Sequence, residues 1–213
     1  PISEISLAAV STDSINSMEL RSQLADLTLT GKYKLTETSA SLLQTLNQYY
    51  HFQKTSTEAV IEPKQYFDFR AKIKNDDLIR KFVPDLKAFS TVNLYGSYNA
   101  DLKNVTMYGS IPNVEYGAFV LNDIKLSAGN DEEQLNYELT LNEFNSEKFR
   151  LSNIGLTGFV ANDLIDYNVQ VKNDKDEVQY KIAGNVATAN QLIDVTLKKD
   201  GLVLNYAPWN VTE

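Results

Sequence analysis

Few side chains in this sequence could do chemistry. His51 is the only histidine among 213 residues and cysteine is absent. There is therefore no thiolate nucleophile, no sulfur-ligated metal and no imidazole cluster to hold an ion. A catalytic His51 would need a nucleophile and an orienting acid, and neither can be identified around TLNQYYHF. It reads as a surface histidine at a helix end. The acidic stretches GNDEEQ (129–134) and KNDKDE (172–177) suggest calcium. Neither has the D-x-D-x-D-G spacing that wraps oxygens around the ion, and both lie between alternating segments, where a hairpin needs a polar turn. No dinucleotide, phosphate-loop, nucleophile-elbow or zinc-protease motif occurs. A hydrolase would need carboxylates perturbed within a pocket. The expectation is a chain that is no enzyme and holds no cofactor or metal.

Tyrosine is the remaining candidate. Tyr95, Tyr98, Tyr108, Tyr116, Tyr137, Tyr167, Tyr180 and Tyr206 fall in or beside strand patterns. A ladder of exposed rings could stack on sugars or bases. Tyrosine also suits a half-buried pleated surface, and several of these share a register with Val, Ile and Leu, so packing is the reading preferred here. A formal charge of -8 and a pI near 4.8 repel phosphate backbones, so no nucleic acid partner is expected.

The elements that would position these residues are mostly strands. QLNYELTLNEF puts Leu135, Tyr137, Leu139 and Leu141 on one side and Asn136, Glu138, Thr140 and Asn142 on the other, a period of two. DLIDYNVQVKN repeats the plan with Ile165, Tyr167, Val169 and Val171, and after a polar turn VQYKIAGNV returns with Val178, Tyr180 and Ile182. QLIDVTLKKDGLVLNY adds Ile193, Val195 and Leu197, with Asp200-Gly201 as a turn and Leu202 and Leu204 returning. QYFDFRAKIK alternates likewise. Glycines inside NLYGSYNADLKNVTMYGS and LTGFVANDLIDYNVQVK are expected to mark bulges or bends. The rhythm is a meander of similar units that bury their faces by stacking on neighbours.

Two helices are expected, both in the first half. One lies near 38–53, with Ser41 and Gln44 as a capping box. The other lies near 76–89, capped by Asp76 or Asn75 and stopped or kinked by Pro84. Two short helices cannot cover so many one-sided strands, so the sheet must close on itself or curl into a trough. No apolar run approaches the length needed to span a bilayer, and the N-terminus lacks the pattern of a secretion signal.

Several phrases carry a resemblance to a known family: DLTLTGKYKLTETSASLLQTLNQYY, FDFRAKIKNDDLIRKFVPDL, LYGSYNADLKNVTMYGSIPNVEYGAFVLNDIKLS and the terminal DVTLKKDGLVLNYAPWNVTE. Across most of its length the chain resembles the TamB-like proteins, the inner-membrane component of the translocation and assembly module, in the AsmA-like superfamily. The resemblance implies a long repetitive β-structure curled into a U-shaped hydrophobic trough, or β-taco. It also implies a place in the periplasm of a Gram-negative envelope and a part in outer-membrane protein assembly and phospholipid transport. A BamA-like outer-membrane barrel is the implied partner of the full-length protein. This chain lacks the family's inner-membrane anchor and barrel-contacting domain, so it is expected to be an internal piece, one repetitive β-domain over 1–213, prone to edge-to-edge self-association. The expected groove floor for phospholipid acyl chains is Leu135, Tyr137, Leu139, Leu141, Ile165, Tyr167, Val169, Val171, Val178, Tyr180, Ile182, Ile193, Val195 and Leu197. The alternative is a structural or adhesive β-sandwich that binds protein or glycan.

Overall fold

The computed structural model describes residues 4–13, 15–51, 65–189 and 192–210. Three strands open the chain, β1 (Ile5–Ser11), β2 (Asn16–Ser22) and β3 (Ala25–Lys32), followed by helix α1 (Leu35–Leu46) and strand β4 (Tyr66–Ile73). Helix α2 (Asp77–Phe82) leads to β5 (Leu86–Phe89) and β6 (Val92–Asn99). From there the chain is strand and turn: β7 (Asn104–Tyr116), β8 (Phe119–Asn130), β9 (Leu135–Asn145), β10 (Arg150–Ala161), β11 (Leu164–Lys172), β12 (Val178–Ala189), β13 (Leu192–Leu204) and β14 (Ala207–Trp209). All belong to one curved, open, antiparallel sheet, whose spatial order follows chain order except that β5 pairs with β7 beside β6. The expected meander is present, as a single layer.

The cross-strand registers carry one apolar face through the whole sheet. Leu7 lies opposite Leu20, Leu20 opposite Leu27 and Leu27 opposite Ala71. Further on, Leu126 faces Leu139, Leu139 faces Leu156, Leu156 faces Val169 and Val169 faces Ile182. Because side chains alternate, polar residues such as Glu138, Thr157, Asn168 and Lys181 fill the other face. A single layer buries little: the chain exposes 14306 Å², against about 9,900 Å² for a compact protein of this mass. Among the described residues no large side chain falls below 2% exposure.

Three of the glycines sit where a ring needs room. Phe69 is the cross-strand partner of Gly96, Tyr137 of Gly158 and Tyr167 of Gly184. A Cβ on Gly158 would lie 2.0 Å from the Asp166 carbonyl oxygen and 2.7 Å from the Tyr137 hydroxyl; one on Gly184 would lie 2.5 Å from the Tyr167 hydroxyl. Gly184 also adjoins a bulge, whereas the registers at Gly96 and Gly158 run without a shift. The expected bends are thus in part ring seats. A different line interrupts the extended geometry. The ladders that pair their neighbours skip Pro112, Asp123, Asn142 and Asn153 on four successive strands, and Asp123 and Asn153 have φ of 56° and 49°. Asp and Asn tolerate that left-handed region better than branched residues do.

Three local expectations need correction. Helix α1 starts at Leu35 with Lys34 as its N-cap, and Ser41 is buried inside it instead of capping it. Packing of Ser41 against the sheet outweighs a four-residue capping pattern. Of the range expected for that helix, residues 52–53 lie outside the described residues. Helix α2 is capped as expected, with Asp76 Oδ1 accepting from the Leu78 N–H at 2.8 Å. It ends at Phe82, however, and Leu86–Phe89 pairs with β7 as a strand, because Pro84 cannot continue the helix. Finally, Asp200-Gly201 is no hairpin turn. Leu197 pairs with Gly184 and Leu202 with Ile182, so Lys198–Gly201 form a bulge within β13. The chain reverses later, at Asn205 and Tyr206, both at positive φ.

The sheet's outer edges differ. Strand β1 has neither charge nor proline, every residue of it is exposed, and its outer edge has no partner among the described strands. At the other side β14 is three residues long with Pro208 at its centre, and the part of β13 beyond it carries Asp194, Lys198 and Lys199. Charge and proline blunt an edge, and their absence invites pairing. Antiparallel pairing of β1 with β1 of a second copy is self-complementary and closes at two. We expect sedimentation equilibrium to show a concentration-dependent dimer without higher species; a monomer throughout would contradict it.

Candidate functional site

The apolar face is covered at one place. Leu29, Tyr33, Phe67 and Tyr98 form its buried cluster, with Met18, Phe69, Val105 and Leu42 of α1 packed against it. The Phe67 and Tyr98 rings lie 5.3 Å apart. The Tyr98 hydroxyl donates to the Ser41 carbonyl at 2.9 Å, which leaves the hydroxyls of Ser41 (2.6 Å) and Thr45 (3.1 Å) to donate to it. This buried triad explains why small polar residues occupy the inner side of α1: an unpaired Tyr98 hydroxyl would be costly there.

Beyond its last turn, the α1 segment runs along the rim where β8 to β12 meet their hairpins. Tyr49 donates its hydroxyl to the Asp131 carbonyl (2.9 Å) and accepts from Asn130 Nδ2 (2.7 Å). The Asp163 N–H donates to the Tyr49 carbonyl at 3.0 Å. Tyr50 pairs its hydroxyl with Thr188 at 2.8 Å. His51 donates its backbone N–H to Asp163 Oδ1 at 2.7 Å and sets its ring Nδ1 2.9 Å from the same atom. His51 is exposed and serves as a tie; its partner is a carboxylate, and no nucleophile adjoins it in these contacts. The acidic stretch at 129–134 is likewise used as a turn, since Asp131 Oδ1 accepts from the backbone N–H groups of Glu133 and Gln134, both at 2.9 Å.

Among the described residues, this rim segment is what approaches the apolar face from β8 to β13. The register brings the expected groove residues onto one surface. Leu135, Tyr137, Leu139 and Leu141 of β9 lie opposite Val160, Gly158, Leu156 and Ile154 of β10, which in turn face Ile165, Tyr167, Val169 and Val171 of β11. Tyr180 and Ile182 of β12 continue it to Leu204 and Leu202, and Val195 pairs with Val186. Val178 is half-buried where the register shifts, opposite Lys172, at the strand's beginning. Leu141 and Val171 are buried at 8% exposure, while Ile182 (42%), Val195 (63%) and Ile193 (71%) are open to solvent. The surface therefore deepens at its middle and opens toward β13. Sequence reasoning missed Ile154, Leu156 and Val160 of β10 and Ile124 and Leu126 of β8. In β10 the glycines at 155 and 158 obscure a period of two that starts at Ile154.

On the apolar face, burial raises the Tyr33 and Tyr137 hydroxyls above the ordinary tyrosine value, and several carboxylates elsewhere on the sheet are lowered. Hydrogen bonds from the His51 backbone N–H and then its ring lower Asp163; the Gln134 and Glu133 N–H groups lower Asp131; the Lys74 ammonium lowers Asp26; and Asn122, then Arg150, lower Glu143. A carboxylate whose folded value lies below its unfolded value stabilises the fold above its ordinary range, and that contribution disappears as pH falls through the lowered folded value. We expect the urea midpoint to fall as pH drops below about 4. Asp163→Asn should make that acid-side fall shallower, and an unchanged pH profile in this variant would dismiss the Asp163 contribution.

Comparison with protein-family models, with curated proteins and with solved structures returns no match.

Proposed function

We propose that this chain binds phospholipid acyl chains along its apolar face, as one segment of a TamB-like bridge through a Gram-negative periplasm. The observation that carries the reading is the continuous apolar surface from β8 to β13, over which the described residues place no second layer. Five strand spacings make it about 24 Å long, the order of an extended fatty acyl chain. Each methylene removed from water there is worth about 0.8 kcal/mol and needs no polar partner. That matches a surface built from Leu, Ile, Val and the flat faces of Tyr137, Tyr167 and Tyr180. In the full-length protein such segments would serve outer-membrane biogenesis, with a BamA-like barrel as partner. No helix among the described residues is long and apolar enough to cross a membrane. The chain's role is to carry, not to catalyse.

The rival reading, a closed β-sandwich, requires a second sheet over this face, and the described strands all belong to one sheet. Native mass spectrometry of the purified chain, with lipid extraction, tests the proposal. Phospholipid is expected to co-purify at a fixed ratio and to leave on delipidation without loss of the sheet. A lipid-free chain that takes up no phospholipid from detergent micelles would overturn it.

A further inference from the structure

Tyr-Gly-Ser occurs twice, at 95–97 and 108–110. The antiparallel pairing of β6 with β7 sets Tyr95 directly opposite Tyr108, so the two copies are related by a local two-fold axis between the rings. Neither tyrosine belongs to the apolar register. Gly96, its neighbour in β6, lies opposite Met107 on that face and receives the Phe69 ring, whereas Tyr95 and Tyr108 stand on the polar side. Their rings stack with centroids 5.1 Å apart and planes 21° from parallel, yet remain 52% and 44% exposed. A cross-strand aromatic pair adds only modestly to sheet stability, and acyl-chain binding on the opposite face makes no use of it.

Two open hollows of about 450 Å³ each flank the pair, and both rings border each hollow. One is completed by Asp68, Arg70, Ser97 and Thr106, the other by Ser110, Lys125, Ser127 and Glu138. With Thr28 and Thr30 also lining the first and Thr140 the second, each hollow thus offers one cationic side chain, one anionic side chain and several hydroxyls beside an aromatic face. That mixture suits an uncharged ligand with apolar C–H faces and a rim of hydroxyls. A phosphate-bearing ligand would meet Asp68 or Glu138 and a chain of net charge -8. We propose that Tyr95 and Tyr108 form a platform for a linear neutral saccharide, with a pyranose ring against the outer face of each tyrosine and its hydroxyls bonded to the surrounding Ser, Thr, Asp and Arg side chains. The site is independent of the acyl-chain surface.

The test is side-chain and backbone NMR of the whole chain titrated separately with cellohexaose, maltohexaose and N-acetylchitohexaose. At least one is expected to shift the resonances of Tyr95, Tyr108 and Ser97 saturably. The Tyr95→Leu/Tyr108→Leu pair keeps the apolar bulk and loses the ring faces, and should weaken binding about tenfold or more. Tyr95→Phe/Tyr108→Phe keeps the faces and should bind within about threefold of the parent. Lipid retention should be the same in all three proteins. The proposal fails if none of the three sugars moves these resonances, or if the leucine pair binds as well as the parent. It also fails if a proline decamer, but no sugar, moves them, which would mark a peptide site. If the leucine pair lowers the thermal transition, the phenylalanine pair and the resonance map of the parent still decide.

Discussion

Val169→Asp is expected to abolish phospholipid retention while leaving a cooperative, somewhat lowered thermal transition. Val169 lies at the middle of the apolar surface, between Leu156 and Ile182, and it is half-buried, so a carboxylate there can still reach water from the open side. The same substitution at Val171, two residues along the same strand and only 8% exposed, places the charge where no water follows. An unpaired buried charge costs several kcal/mol, enough to unfold a domain of ordinary stability. Val171→Asp should therefore be recovered unfolded or aggregated. Asn168→Asp is the control: Asn168 points to the polar side, and its amide makes two long bonds of 3.3 Å, donating to Thr157 Oγ1 and accepting from Gln170 Nε2, the second of which a carboxylate keeps. It should change stability by less than about 0.5 kcal/mol and leave lipid bound. Circular dichroism melts and lipid extraction on the three variants read the outcome. If Val169→Asp unfolds like Val171→Asp, the face is covered in solution and the open groove is the wrong description.

The second large effect concerns two glycines in one strand. Gly158→Ala must move backbone, because the new Cβ would lie 2.0 Å from the Asp166 carbonyl oxygen and 2.7 Å from the Tyr137 hydroxyl, which itself donates to that carbonyl at 2.7 Å. A loss of about 2 to 4 kcal/mol in urea denaturation is expected. Three residues earlier, a Cβ on Gly155 meets nothing within 4 Å. Gly155→Ala should be neutral or stabilise by up to about 1 kcal/mol, since alanine restricts the unfolded chain. Equal effects at the two positions would mean that strand propensity, not the ring seat, sets the cost.

Which of these features could be read beforehand depends on how local their cause is. The alternation of Leu135, Tyr137, Leu139 and Leu141 is imposed by a period of two and survives in the structure. The packing expected of the tyrosines as a group holds for Tyr98 at 2% exposure but not for Tyr95 at 52%, because three residues along a strand put the two on different faces. Asp200-Gly201 failed because a turn signal states only that the chain can reverse. Whether it does depends on the partner strand, and Gly184 and Ile182 of β12 accept the extra residues as a bulge. Ser41 and Gln44 failed similarly: their spacing is local, but the Tyr98 hydroxyl that claims Ser41 comes from a strand 57 residues away. The pairing of Tyr137 with Gly158, and with it the role of that glycine, requires the register of two strands at once.

The rim segment after α1 sets an order of events during folding. Nearly every other pairing joins strands adjacent in the chain, so the meander can zip hairpin by hairpin at small loop-closure cost. The bonds from His51 to Asp163 and from Tyr50 to Thr188 instead span 112 and 138 residues, and their partners come into place only after β10, β11 and β12 have been added. The tie is thus a late step. Its energy falls on the far side of the folding barrier, where it slows the loss of the finished sheet and hardly affects its formation. During synthesis, the first half of the chain must wait with its rim unfastened until nearly all of the remainder has emerged.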